Sequence, residues 1–357
     1  GGRNYFVWVL LKGNKSNERV SRTSLVRFGL TASSQARGPA LLRGAWTQEN
    51  YAQLLKFFER ADAIRGRKAA VFDFDNTSIF NDIGDASFYY LVDEALLDFP
   101  KILSSPGLWE AFSSIGVNPA RSSVEEFWRQ RRQEPKKPPQ GLRAWGFYRK
   151  ALYQAYDELC RLKGKEVSYR WVIEIMAGKS PKEVRHISRR ALDRELARPL
   201  GQGAVGAGAE DSSPAMIAVG IRPYAEIKNL MEVLKKKDFE VWIVSASSRY
   251  LVEPAAKRLF NLPPSRVIGA RSKIEAGRLA AEVEFFTYGQ GNVQAIKEIV
   301  GAQPLLAAGD SDGDLEMLDY SEDLRIVIDR KKKISLHAIE EKARGNSWLI
   351  QPKFIQP

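Results

Sequence analysis

Cysteine is almost absent from this chain of 357 residues: Cys160 stands alone. No intrachain disulfide can form, and a cysteine-based metal site is excluded. Histidine is nearly as scarce. His186 and His337 lie far apart among basic residues, which leaves no basis for a histidine-ligated zinc site. No run of 18 apolar residues occurs, so no membrane span is expected. Acids are outnumbered, 43 against 55 Lys and Arg, giving a formal net charge of +12. The excess is uneven: residues 1–45 carry eight Lys and Arg and one acid, Glu18, and no basic repeat interleaved with aromatics follows. Nucleic-acid binding is therefore not expected. A hydrophobic content of 44% supports a real core, and the length allows one large or two modest domains.

Against this background, aspartates at the ends of apolar runs stand out. Ala69–Phe72 reads as a buried strand and runs into Asp73-Phe74-Asp75-Asn76-Thr77. Residues i and i+2 of a strand share a face, so both aspartates can aim at one place. Buried like charges repel and desolvate badly unless a cation or a chemical task accompanies them. A carboxylate can also be a nucleophile toward phosphorus. Three further apolar runs end in polar groups: Phe239–Val244 at Ser245-Ala246-Ser247, Pro304–Ala308 at Gly309-Asp310-Ser311-Asp312-Gly313-Asp314, and Leu324–Ile328 at Asp329. Amphipathic stretches at 225–237, 249–260 and 293–300 separate them. Strand–helix alternation predicts an α/β fold, a Rossmann-like parallel sheet flanked by helices. Ligands of such sheets bind outside the carboxyl ends of the strands, where Asp73, Asp75, Ser245 and Asp310 would meet.

From Ala69 to about Asp329 the chain resembles the haloacid dehalogenase superfamily of aspartate-nucleophile phosphatases. Asp73-Phe74-Asp75-Asn76-Thr77 is similar to its first motif, with Asn76 where many members have glycine. Val244-Ser245-Ala246-Ser247 is similar to the second, and Gly309–Asp314 to the acidic fourth. The long insertion after the first motif resembles the phosphoserine phosphatase-like branch, nearest to phosphorylcholine and histidinol phosphatases. The resemblance implies hydrolysis of a small phosphorylated metabolite through an aspartyl-phosphate. Asp73 would be the nucleophile and Asp75 the acid/base. Mg²⁺ would be held by Asp73, the Asp75 carbonyl and Asp310, with Asp314 in support. Phosphate would be bound by Thr77, Ser245, Ala246 and Asn292. Asp82 and Asp85, soon after the first motif, are candidates for contacting the leaving group, such as the amine of an amino-alcohol or amino-acid phosphate. The third motif departs from the pattern: Asn292 stands where the family has lysine. Either another cation replaces it, with Arg249, Arg271 and Lys273 as candidates, or the chain is a weakened phospho-ligand binder. A lysine at 292 is expected to raise activity, a gain that such a replacement cation would shrink. Transfer to an acceptor other than water is a further alternative.

Along the chain, residues 1–45 read as a basic, poorly ordered extension. Residues 46–80 and 215–357 read as the α/β core, with Thr47 capping a first helix. Residues 81–199 carry helical patterns without strand alternation and read as an inserted helical cap. Ser180-Pro181-Lys182-Glu183 within it is a capping box. Residues 200–214, rich in Gly and Ala, read as a flexible linker. Short runs around Glu275–Arg278 read as a hairpin. A lone cysteine and no clear signal peptide favour the cytoplasm, with a periplasmic or secreted location left open.

Overall fold

The structure, a computed structural model, describes residues 40–98, 106–208 and 210–356; most of the 1–45 extension lies outside these. Strands are numbered in chain order: β1 Lys68–Phe72, β2 Ile79–Phe80, β3 Gly201–Val205, β4 Ala215–Val219, β5 Arg222–Pro223, β6 Phe239–Ser248, β7 Val267–Glu275, β8 Arg278–Phe285, β9 Leu306–Gly309, β10 Leu324–Asp329 and β11 Trp348–Pro352. Seven form one sheet in the order β11-β10-β9-β1-β6-β7-β8. Its pairings are parallel except the β7–β8 hairpin, which turns through Ala276 and Gly277, both at positive φ.

The central strands read as continuous apolar runs because both sheet faces are covered. Ala70, Phe72, Val241, Ile243, Ala308 and Ile326 point to one side, onto the helices Gln48–Ala63, Ala225–Lys236 and Arg249–Phe260. Val71, Trp242, Val244, Ala307 and Val327 point to the other, onto helical residues Ala295, Ile296, Met317, Leu318 and Ile334. Each fully buried Phe, Ile or Leu contributes about 1.5–3 kcal/mol. The alternation also fixes register, because a slip of one residue would exchange the two faces. Thr47 caps the first helix by accepting from the Asn50 amide.

Between Ile83 and Ala197 the described residues form helices: Ile83–Asp93, Pro106–Ser114, Val117–Gln133, a short turn at Pro139–Gly141, Trp145–Glu174 and Pro181–Ala197. They share a second hydrophobic cluster that includes Phe88, Phe112, Phe127, Tyr148 and Trp171. Asp93 ties three of them together by accepting from Arg149, Tyr153 and Arg194. The capping box at Ser180 and Glu183 is present. Helix Trp145–Glu174 is interrupted at Gly164, whose φ of 82° and ψ of 169° are non-helical, so that two helical stretches join across a kink.

Two expectations need correction. Residues 200–214 are not simply a linker, since Gly201–Val205 pairs antiparallel with Ala215–Val219. Val205, Ala215 and Ile217 are buried in the helical cluster, and a Cβ at Gly203 would lie 2.9 Å from Val219. Small residues here permit close strand pairing. The extension also ends before residue 45. Leu41 is buried, and the Leu42 and Ala45 amides donate to Asn229 and Glu226, both at 2.8 Å. Among the described residues no helix is long and apolar enough to cross a membrane.

Candidate active site

Four adjacent strands, β10, β9, β1 and β6, deliver polar residues to one edge of the sheet. Asp73 follows β1, and its amide continues the ladder by donating to Ala308 at 2.9 Å. Asp310 follows β9. Asp314 is brought back by the next turn, where its Oδ2 accepts from the Asp310 and Ser311 amides at 3.1 and 2.9 Å and from the Ser311 hydroxyl at 2.9 Å. Carboxylate oxygens of Asp73, Asp310 and Asp314 lie within 4.8 Å of one another, and all three residues are buried. Gly309 makes this approach possible: a Cβ there would sit 2.6 Å from the Asp314 Cβ.

Asp75 lies on the turn that leaves β1. Asn76 there has φ 63°, a left-handed conformation that Asn tolerates better than most residues, which accounts for Asn in place of glycine. The Asp75 Oδ1 accepts from the Ile83 amide at 2.7 Å. Its Oδ2 accepts from the Ser247 and Ser245 hydroxyls at 2.9 and 3.3 Å. Helix Ile83–Asp93 and strand β6 thus hold the second aspartate in place.

A family profile for haloacid dehalogenase-like hydrolases matches residues 120–319, more than half of the chain. The chain belongs to this family. The matched span holds Ser245, Asp310 and Asp314 and begins downstream of Asp73. A probable phosphatase of Mycobacterium tuberculosis is 35% identical over 101 residues, 27% of this chain and 34% of the relative, so the match spans about a third of that protein. A crystal structure of a conserved, functionally unknown protein from Anaerococcus prevotii has a TM-score of 0.72 at 20% identity. It covers 87% of this chain and 93% of its own, a likeness of fold.

The crowding of carboxylates raises their proton affinities. Burial, then the charges of Asp314, Asp310 and Asp75, raise the Asp73 carboxyl well above the usual range. Burial and Asp310 push Asp314 up to about 7. Burial and then Asp82 raise Asp75. Removing the mutual repulsion requires protons or a cation. The donor set is oxygen only, which suits a hard divalent ion such as Mg²⁺.

A cavity of about 30 Å³ is lined by Asp73, Asp75, Asp82, Asp310 and Asp314, by Ser245, Ala246 and Ser247, and by Tyr169 from the helical segment. It unites most of the expected residues but not all. Thr77 is fully buried and donates to Asp310 at 3.3 Å without lining the cavity. Asn292 is likewise absent from the wall: its amide donates to the Gly313 carbonyl at 2.9 Å, bracing the acidic loop. Asp85 lines a neighbouring cavity of about 90 Å³ together with Asn81, Asp82, Lys165 and Glu195. There it accepts from the Tyr156 hydroxyl at 2.8 Å, and burial and Asp82 push it up to about 7.

The sequence reading missed two cations. Arg330 and Lys332 line the first cavity; Arg330 donates to Asp310 at 2.7 Å and Lys332 at 3.5 Å. The candidates Arg249, Arg271 and Lys273 do not line it. Arg249 pairs with Glu253, Arg271 lies over the Phe285 ring and Lys273 pairs with Glu275. A signal was available: Arg330 and Lys332 directly follow a strand whose carboxyl end faces the same edge. A larger cavity of about 480 Å³, beside Phe147 and Lys150, contains none of these groups.

Proposed function

We propose that this protein hydrolyses small phosphomonoesters, with Asp73 as nucleophile and Asp75 as proton donor and acceptor. The observation that carries the reading is the approach of Asp73, Asp310 and Asp314 within 4.8 Å in a buried cavity that Asp75 also lines. The relative named as a probable phosphatase supports it. Asp73, Asp310 and Asp314, with the Asp75 carbonyl, would hold Mg²⁺. When bound, the ion offsets the negative charge of the nucleophile and of the phosphate.

The protein groups act in two steps. An oxygen of Asp73 attacks phosphorus and the ester P–O bond breaks, leaving an aspartyl-phosphate. The departing oxygen takes its proton from the Asp75 carboxyl, whose proton affinity is raised by burial and by Asp82. Asp75 then accepts a proton from water as the water oxygen attacks phosphorus. The bond to Asp73 breaks, and orthophosphate leaves. Ser247 and the Ile83 amide keep Asp75 oriented through both transfers.

We infer that the helical segment 81–199 serves as a cap. It contributes Asp82 and Tyr169 to the first cavity and Asp85, Lys165 and Glu195 to the second. A 30 Å³ space holds only about two waters, so substrate entry requires the cap to move. The second cavity sets Asp82, Asp85 and Glu195 beside Lys165 and Arg330, with no aromatic ring among its lining residues, a mixed-charge wall that suits a leaving group carrying a protonated amine, with or without a carboxylate. It favours an amino-alcohol or amino-acid phosphate such as phosphoserine over the quaternary ammonium of phosphorylcholine. Aromatic residues of the cap such as Phe88, Tyr156 and Trp171 pack on one another instead. The weakened-binder alternative loses its motive, since Arg330 and Lys332 bring positive charge to the cavity. No observation favours an acceptor other than water.

Hydrolysis of p-nitrophenyl phosphate and a panel of amino-alcohol and amino-acid phosphates tests the reading. Activity should require Mg²⁺ and vanish with EDTA. Asp73→Asn should lower turnover at least about 10³-fold while the fold persists. Unchanged hydrolysis by that variant would overturn the nucleophile assignment.

A further inference from the structure

The cavity presents a charge problem. Five carboxylates line it, Asp73, Asp75, Asp82, Asp310 and Asp314, and the cationic side chains in its wall are Arg330 and Lys332. A phosphate dianion entering such a site meets repulsion that one divalent ion offsets only in part. The remaining positive charge has to come from the wall. Asn292, at the position where a lysine was expected, is committed to the Gly313 carbonyl.

The two cations differ in availability. Arg330 is engaged with Asp310 at 2.7 Å and also borders the second cavity. Lys332 lines the first cavity alone, and its contact with Asp310 is 3.5 Å, long for a charge-assisted hydrogen bond. A long, flexible side chain with three donors can leave that contact for a phosphate oxygen at little cost. The backbone beneath it is held. The Lys331 amide donates to Asp329 at 2.8 Å with φ of 57°, the Ser335 hydroxyl donates to the same Asp329 oxygen at 2.8 Å, and the Ile334 amide donates to Asp312 at 2.8 Å. The last bond couples the basic loop after β10 to the acidic loop after β9. Asp312 is the joint between them.

We propose that Lys332 is the phosphate-binding cation of this site, reaching it from the loop after β10 rather than from the helix that begins at Gln290. The inference rests on the phosphomonoesterase reading, and its test separates the two. Orthophosphate is titrated calorimetrically into the full chain with Mg²⁺ present, and steady-state kinetics with p-nitrophenyl phosphate are run in parallel. Lys332→Met and Lys332→Gln should each weaken orthophosphate binding at least tenfold and raise KM. Lys332→Arg should restore most of the affinity. Lys333→Met, an exposed neighbour with the same charge change, should bind as wild type. Circular dichroism checks the fold of each variant. Equal affinities for the Lys332→Met and Lys333→Met variants would overturn the assignment of Lys332 while leaving the hydrolase reading intact. So would failure of the wild type to bind orthophosphate. Orthophosphate binding that depends on Lys332, in a protein that hydrolyses no ester of the panel, would instead uphold Lys332 and sink the proposed reaction.

Discussion

Gly309→Ala should disable the site from a position that touches no substrate. Gly309 ends β9, which is hydrogen-bonded to β1 on one side and β10 on the other, so its backbone cannot retreat. A Cβ at this position would lie 2.6 Å from the Asp314 Cβ, 2.9 Å from its Cγ and 3.0 Å from its Oδ2. Carbon atoms in favourable contact are about 3.5–4.0 Å apart. Asp314 must therefore move by about 1 Å, and the atom in the way is the root of its side chain, so a rotamer change does not relieve the clash. The move stretches the bonds from the Asp310 and Ser311 amides that now stand at 3.1 and 2.9 Å. Overpacking of this kind costs about 1–3 kcal/mol of stability. A 1 Å misplacement in a catalytic constellation costs about 10²-fold in rate. Urea unfolding, Mg²⁺ titration and kcat/KM on p-nitrophenyl phosphate measure the three effects. A variant destabilised by 1–3 kcal/mol yet unchanged in Mg²⁺ affinity and kcat/KM would refute a working role for Asp314.

Asp75→Asn should leave binding of orthophosphate within about threefold of wild type but lower kcat by about 10²–10⁴-fold, the range for loss of a general acid or base; single-turnover kinetics would show it. Asn292→Lys should change kcat/KM by less than about fivefold, because Arg330 and Lys332 already supply charge; a large gain would show that the cavity is short of a cation. The cap can be tested through Asp85, whose carboxyl is pushed up to about 7. A raised acid binds its proton more tightly when folded, so its contribution to stability is full below about pH 4 and lost as pH rises through 7. Asp85→Asn should then stabilise the metal-free protein at pH 8 relative to pH 5, by on the order of 2 kcal/mol in urea unfolding. An equal effect at both pH values would contradict the raised affinity.

The strands and their polar ends were legible in the chain because a parallel sheet covered on both faces demands unbroken apolar runs, and the residue after each run is delivered to one edge. Asp73, Asp75, Ser245 and Asp310 could be assigned to a common crevice on that ground alone. The β3–β4 hairpin was not legible, since Gly201, Gly203 and Ala204 carry no pattern, and their pairing depends on which surface lies above them. Ser247 is a similar case: it lies near the end of a strand like many serines, and its bond to Asp75 exists because β6 lies beside β1.

Local sequence therefore determined where each carboxylate leaves its strand, because period and polarity act over a few residues. Only the tertiary structure decided which cation faces them. Asp329 to Lys333 is a run of charge that could equally be solvated. It turns into the cavity because β10 lies beside β9 and because Asp329 and Asp312 hold the backbone between them. Asn292 turns away for the same kind of reason, since the Gly313 carbonyl, distant in sequence, takes its amide. Attraction between charges depends on distance, and the distance between segments far apart in the chain is set by packing.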